Sequence, residues 1–256
     1  MAISIKNDGE IQKMRQAADI LVRTHELVAK HVKIGITTKE LDEIAEKYIL
    51  SQGGTPSFKD YGGYPATICA SINDEVVHGI PSGRKLQQGD LLSVDIGVYL
   101  NGYHSDAARS YGVGQLSEEM QRLIDVTRQS FYEGLKFAKV GHHLSEISQA
   151  IQEYVEENGF SIVKDLVGHG IGRELHEEPQ IPNYKTPGRG PKLQKGMVLA
   201  IEPMVNMGTW QVNVLDDDWT IVTRDGMPSA HYENTIVITG DEPEILTIPK
   251  MDTEVN

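Results

Sequence analysis

The sequence predicts an α+β protein of two pseudo-symmetric halves, with a curved antiparallel sheet and helices packed on one face of it. Three observations carry this. The chain repeats itself at an offset of 106 to 107 residues: Lys33-Ile34-Gly35 recurs as Lys139-Val140-Gly141, Glu40-Leu41 as Glu146-Ile147, Tyr48-Ile49 as Tyr154-Val155, and Gly53 as Gly159. Lys85-Leu86-Gln87-Gln88-Gly89 recurs as Lys192-Leu193-Gln194-Lys195-Gly196, after which LLSVDIG runs in step with VLAIEP. Each half opens on apolar residues at helical spacing and then turns to short strand-like runs joined by short turns, so the strands are expected to pair antiparallel.

The elements follow in order. Residues 8–33 place Ile11, Met14, Ala18, Leu21, Val28 and Val32 along one helix face. Thr37 and Glu40 form a capping box for a second helix carrying Leu41, Ile44, Ala45, Tyr48 and Ile49, closed by Gly53-Gly54. In the second half Ser117 caps a helix through Met120, Leu123, Ile124 and Phe131, and another carries Ile147, Ala150, Ile151, Tyr154 and Val155 as far as Asn158-Gly159. Strands are expected over 67–77, 91–100, 103–112, 160–167, 197–205, 219–223 and 231–239. One catalytic domain is expected over residues 1–256, with its repeat halves at about 8–112 and 117–239, because no linker separates them.

Acidic residues interrupt several of these strands. Asp95 stands in SVDIG, Asp106 in HSDAARS, Glu202 in LAIEPM and Glu233 in HYENTIVI, with His169 in GHGIG. A carboxylate inside an apolar strand is costly to desolvate without a cation beside it. The Asn101-Gly102 pair between two apolar runs signals a two-residue hairpin. With Leu100 opposite Tyr103, Asp106 opposes Gly97 and Asp95 opposes Ala108. The two acids then share one face as diagonal neighbours, with Cβ atoms roughly 7 Å apart or less. The glycines flanking His169 are expected to form a turn that lets backbone approach closely and exposes the ring, with His176 seven residues on. Several acids converging on one imidazole point to divalent metal, a pair of ions suggesting hydrolysis.

A net charge of −13 argues against a general binder of DNA or of anionic membranes. The basic stretch from Lys185 to Lys195 is a solvated loop or a docking surface for an acidic partner. Cys69, the single cysteine, excludes an intrachain disulfide and fits a reducing compartment. No segment approaches a membrane span and the N-terminus lacks an apolar leader, so a cytoplasmic, monomeric protein is expected.

With these residues in place the chain resembles the type I methionine aminopeptidases of the short bacterial kind, over nearly its whole length. The likeness rests on the ordered Asp-Asp-His-Glu-Glu set, on GHGIG with His176 and IPNY beyond it, and on Asp74-Glu75-Val76-Val77-His78-Gly79-Ile80-Pro81. It implies the pita-bread fold around two divalent ions and removal of the initiator methionine from nascent chains, preferentially before a small second residue. It assigns metal ligation to Asp95, Asp106, His169, Glu202 and Glu233, with Asp106 and Glu233 bridging. It makes His78 and His176 contacts of the scissile peptide, Glu202 the proton acceptor, and Phe58, Tyr61, Tyr64, Cys69, Leu175 and Trp219 the walls of the methionine slot. Phe58 stands where some relatives carry cysteine, and Leu175 where some carry phenylalanine. The oxygen-rich ligand set suits Co²⁺, Mn²⁺ or Fe²⁺ at least as well as Zn²⁺. The partners implied are nascent polypeptide N-termini; the basic 185–195 stretch is a candidate for transient ribosome contact.

Three alternatives stand beside this reading. An Xaa-Pro aminopeptidase or prolidase shares fold and ligands but usually carries a large extra N-terminal domain. A non-catalytic binding protein on this fold typically loses ligands. A mononuclear iron oxygenase needs two histidines and one carboxylate on one metal.

Overall fold

The computed structural model describes residues 2–249; residue 1 and residues 250–256 of the expected domain lie outside the described residues. Helix α1 (Asp8–His31) is capped by Asn7, whose side chain accepts from the Glu10 amide while Glu10 reaches back. Helix α2 (Thr38–Ser51) starts at the expected Thr37–Glu40 box, and Ser117 caps α3 (Glu118–Leu135). Helix α4 (Leu144–Glu157) completes the set.

The first half holds β1 (Thr55–Pro56), β2 (Ile68–Ile72), β3 (Glu75–Val77), β4 (Leu91–Leu100) and β5 (Tyr103–Gly112). The second holds β6 (Ser161–Ile162), β7 (Gly168–Gly170), β8 (Glu177–Ile181), β9 (Val198–Ile201), β10 (Met204–Asn206), β11 (Val212–Val214), β12 (Ile221–Thr223), β13 (Ser229–His231), β14 (Asn234–Val237) and β15 (Glu244–Ile245). Every strand pairing is antiparallel. In the first half β4 is central, paired with β5 on one edge and with β2 and β1 on the other. In the second, β15, β14, β9, β7 and β8 follow one another.

The repeat seen in sequence is a repeat of hydrogen bonds. The Gly35 amide donates to Leu86 and the Gly141 amide to Leu193; the Thr38 amide donates to Arg84 and the Leu144 amide to Pro191; Gly54 donates to Ile49 and Phe160 to Val155. Isolated bridges join Thr37 to Lys85 and His143 to Lys192. Gly35 and Gly141 share φ near 90°, at 90° and 93°, a conformation costly for any residue with a Cβ.

Each half buries its own core. One cluster gathers residues of α1, α2 and the first sheet, Leu21, Leu41, Ile49 and Ile96 among them; another gathers α3, α4 and the second sheet through Leu123, Phe131, Ile147 and Leu199. A third, with Met14, Phe58, Tyr64, Ile171, Ala200 and Val237, draws on both halves and lies under the site.

Several expected strands are broken, and the breaks carry meaning. The run 67–77 turns at Asn73, which adopts φ 59°. The run 197–205 breaks at Glu202-Pro203, and 231–239 breaks at Tyr232-Glu233. Proline cannot donate to a ladder, and both glutamates leave their strands where they turn inward.

Candidate metal centre and substrate pocket

The Asn101-Gly102 turn has both central residues at positive φ, 53° and 86°, as a type I′ hairpin requires. The register is the expected one: Leu100 opposes Tyr103, Gly97 opposes Asp106 and Asp95 opposes Ala108. Asp95 and Asp106 therefore share a face, close enough that each carboxyl acts on the other's ionisation. Cys69, across from Asp95 on β2, lies on that face too.

The second half delivers the other acids across a seam between β5 and β14. The Thr235 hydroxyl accepts from the Asp106 amide at 3.0 Å and donates to the Asp106 carbonyl at 2.9 Å, standing in for a missing strand partner. The Glu233 amide donates to the Ala108 carbonyl at 3.0 Å. Arg109 ties the seam: one guanidinium nitrogen donates to the Ala108 and Glu233 carbonyls, the other to Asn234 Oδ1 and the Thr247 carbonyl. Composition and spacing gave no cue to Arg109 or Thr235, whose partners across the seam lie more than a hundred residues away.

His169 corrects one expectation. It lies not in an exposed turn but in β7, with its ring buried. The flanking glycines serve packing of the sheet: a Cβ at Gly168 would lie 2.4 Å from the Ala200 carbonyl, and one at Gly170 would lie 2.2 Å from the Glu178 carbonyl. The His169 Nδ1 lies 2.9 Å from the Gly170 carbonyl and so carries the proton, leaving Nε2 as an acceptor aimed inward. That Nε2 sits 3.6 Å from Glu202 Oε1.

Donor atoms of Asp106, His169 and Glu233 all lie within 4.8 Å of one another. Asp95 Oδ1, Asp106 Oδ1 and Glu233 Oε1 are buried with no hydrogen-bond partner. Buried acceptors rarely go unsatisfied. Burial pushes all four acids up: Asp95 to about 7, and Asp106, Glu202 and Glu233 well above the carboxylate range, the acids' mutual repulsion adding to the last three. Burial pushes His169 down to about 3, so its ring is neutral and able to ligate. Orphaned oxygens, mutual repulsion and a neutral imidazole together fit divalent cations, whose charge would hold every acid ionised.

Beside the acids lie His78 and His176. His78 has φ 60°, an uncommon conformation for a side chain with a Cβ, and burial pushes its ring down to about 4. The His176 ring stands 4.4 Å from that of His169, and its Nδ1 lies 2.7 Å from the Tyr61 hydroxyl. Phe58, Tyr64, Cys69 and Leu175 are buried around them. The Tyr64 hydroxyl donates to the Ile68 and Gly79 carbonyls at 3.0 and 3.1 Å, and its ring meets Trp219 edge-on at 5.1 Å. Gly97 is obligatory here, since a Cβ would lie 2.7 Å from Phe58. Every residue named for this site from the sequence lines one cavity of about 140 Å³. A larger groove of about 660 Å³, between α1 and α3, includes none of them.

His231 was not expected. It is 2 % exposed, its Nε2 has no hydrogen-bond partner, and that atom lies 3.7 Å from Glu202 Oε2. Its place two residues before Glu233, on the same strand face but for the break at Tyr232-Glu233, was the available cue.

Comparison with known proteins agrees with this chemistry. Residues 12–240 match the model of metallopeptidase family M24. The methionine aminopeptidase of Clostridium perfringens is 56% identical over 248 residues, covering 97% of this chain and 100% of the relative. Methionine aminopeptidase 1 of Bacillus subtilis is 54% identical over 245 residues, covering 96% and 99%. The crystal structure of the methionine aminopeptidase from Thermotoga maritima superposes with a TM-score of 0.95 at 45% identity, covering 97% of this chain and 100% of that one, so the fold is the pita-bread fold. The buried acids therefore sit in a scaffold built for metal-dependent peptide hydrolysis: the chain belongs to metallopeptidase family M24.

Proposed function

We propose that this protein is a methionine aminopeptidase that removes the N-terminal methionine of newly made polypeptides. The observation that carries the proposal is one cavity where four acids, two buried and two half-buried, and a neutral imidazole meet an apolar slot walled by aromatic rings and a thiol. Likeness to methionine aminopeptidases over nearly the whole chain supports the choice of substrate over an Xaa-Pro peptide.

Asp95, Asp106, His169, Glu202 and Glu233 would hold two divalent ions, with Co, Mn, Fe and Zn all compatible with the donor set. When bound, such ions polarise the scissile carbonyl and lower the pKa of water to near neutrality. Four carboxylate charges then balance two dications. Glu202 accepts the proton of the attacking water and returns it to the leaving amine. With the Tyr61 hydroxyl donating to Nδ1, His176 keeps its proton on Nε2 and donates it to the developing oxyanion. His78 faces the peptide nitrogen on the leaving side. Phe58, Tyr61, Tyr64, Cys69, Leu175 and Trp219 take the thioether, which makes favourable contacts with aromatic rings and sulfur. Cys69 is a wall and not a nucleophile, since burial pushes its thiol well up.

The test is anaerobic reconstitution with each ion, with turnover measured on Met-Ala-Ser and on Xaa-Pro peptides. Hydrolysis of the Xaa-Pro series in preference to Met-Ala-Ser would overturn the substrate assignment. His78→Ala and His176→Ala are each expected to slow turnover by about 10²–10³-fold with metal content unchanged; loss of metal in either would contradict their roles.

The protein acts in the cytoplasm as a monomer on nascent N-termini in this proposal. None of its helices among the described residues is long and apolar enough to cross a membrane. Lys185, Arg189, Lys192 and Lys195 would give a transient ribosome contact. Replacing all four with glutamine should weaken cosedimentation with ribosomes at low salt; unchanged cosedimentation would remove that contact.

A further inference from the structure

The most deeply buried lysine–carboxylate pair among the described residues lies outside the site. Lys6 Nζ meets Glu177 Oε2 at 2.5 Å, with the two side chains 3 % and 12 % exposed. Lys6 belongs to the arm before α1, held by its amide on the Gly196 carbonyl at 2.8 Å. Glu177 is the residue after His176. Its other oxygen, Oε1, accepts from the amides of Arg173 at 2.8 Å and Glu174 at 3.3 Å. Those amides belong to the loop between β7 and β8 that carries Leu175 and His176. One carboxylate thus folds this loop back on itself, and one buried cation neutralises that carboxylate.

The arrangement is closely fitted. A Cβ at Gly172 would lie 2.5 Å from Lys6 Cε and 2.6 Å from Glu177 Oε1, so the lysine crosses the start of the loop where only glycine leaves space. The Gly172 carbonyl accepts from the His104 amide at 2.8 Å, and the Gly172 amide donates to the Glu174 carbonyl at 3.1 Å. A second, exposed tie runs from Arg173 to Glu10 at 3.1 Å. Neither Lys6 nor Glu177 lines the cavity. Removing one partner of a buried pair leaves the other charge uncompensated, and here the orphan would be the carboxylate that shapes the loop.

We propose that Lys6, acting through Glu177, is a positioning residue for His176 and Leu175, so that the N-terminal arm sets the alignment of the loop that contacts substrate. This rests on the role given above to His176. The alternative is a pair that only stabilises the fold.

Lys6→Met separates the two, measured in the full chain with and without metal. Amide hydrogen exchange at Arg173 and Glu174 is expected to speed by at least about tenfold in the metal-free protein, with the α3 amides unchanged. The kcat on Met-Ala-Ser is expected to fall about 10- to 100-fold, as for loss of other orienting partners, at unchanged metal content and with KM changed less. In a His176→Ala background the same change should cost less than about twofold, since the group being aligned is gone. Lys6→Arg should restore most of kcat. Equal losses in both backgrounds, or faster exchange spread evenly over the chain, would overturn the proposal. If Lys6→Met does not fold, Glu177→Gln, which breaks the ion pair but keeps an acceptor for the loop amides, is read by the same criteria. The exchange result stands apart from turnover. An inactive parent protein with the predicted local exchange change would discard the aminopeptidase assignment and keep the clamp.

Discussion

Asp106→Asn is expected to abolish turnover and yet to stabilise the metal-free protein. Asp106 is 4 % exposed, its Oδ1 has no partner, and the charges of Glu233 and Asp95 add to burial in raising its pKa. An amide of the same shape removes one charge from that cluster and supplies a donor to the remaining acids. In its proposed role as a metal ligand, its loss should exceed the roughly 10- to 100-fold cost of losing an outer orienting partner. Metal content should fall with activity. The metal-free variant should be more stable than the metal-free parent at pH 8 by on the order of 1–2 kcal/mol, the usual trade of stability for function at such sites. Urea denaturation in chelator, with metal analysis of the same preparations, checks both halves. Retention of the parent's metal content and turnover would remove Asp106 from the ligand set.

The second large effect is on pH. Asp95 is raised to about 7, and Asp106, Glu202 and Glu233 are raised well above the ordinary carboxylate range, all chiefly by burial. A carboxylate raised in the folded state contributes stability that is fully present below its unfolded pKa of about 4 and is lost as pH rises through the folded value. The buried histidines act oppositely. His25, His169 and His231 are lowered to about 3, and His78 and His104 to about 4, again chiefly by burial. Their effect is lost as pH falls below about 6.5, where the unfolded rings take up protons. Above about pH 6.5 the acids act alone. Metal-free protein should then lose on the order of 1–3 kcal/mol of stability per pH unit up to about pH 8. Saturating divalent ion should abolish that loss, because the acids are then ionised and compensated, and ion uptake should release protons. Denaturation series from pH 6.5 to 8.5, with chelator and with metal, measure it. A flat profile in chelator would mean that the acids do not share one buried enclosure.

Much of this was legible in the residues themselves because it is short-range. The Thr37–Glu40 capping box stands where expected, and Glu146, the repeat partner of Glu40, accepts from the His143 amide as Glu40 does from that of Thr37. The Asn101-Gly102 turn fixed the register that pairs Asp95 with Asp106, since a two-residue hairpin allows only one alternation of faces. Other features were not legible. The turn expected around His169 is a strand, because the glycines answer to neighbouring carbonyls rather than to local bending. The strands expected over 197–205 and 231–239 break where Glu202 and Glu233 turn inward, a matter of what faces them across the fold.

By itself the sequence determined the four helices and the caps at Thr37 and Ser117, the doubling of the chain, the hairpin carrying two acids, and which acids and histidines line one cavity. Only the tertiary structure decided how the halves meet: Thr235 beside Asp106, Arg109 across the seam, His231 behind Glu202, and Lys6 under the His176 loop. The reason is physical. Periodicity and turn chemistry act over a few residues, whereas these contacts join residues up to 171 positions apart and arise only once both cores have packed.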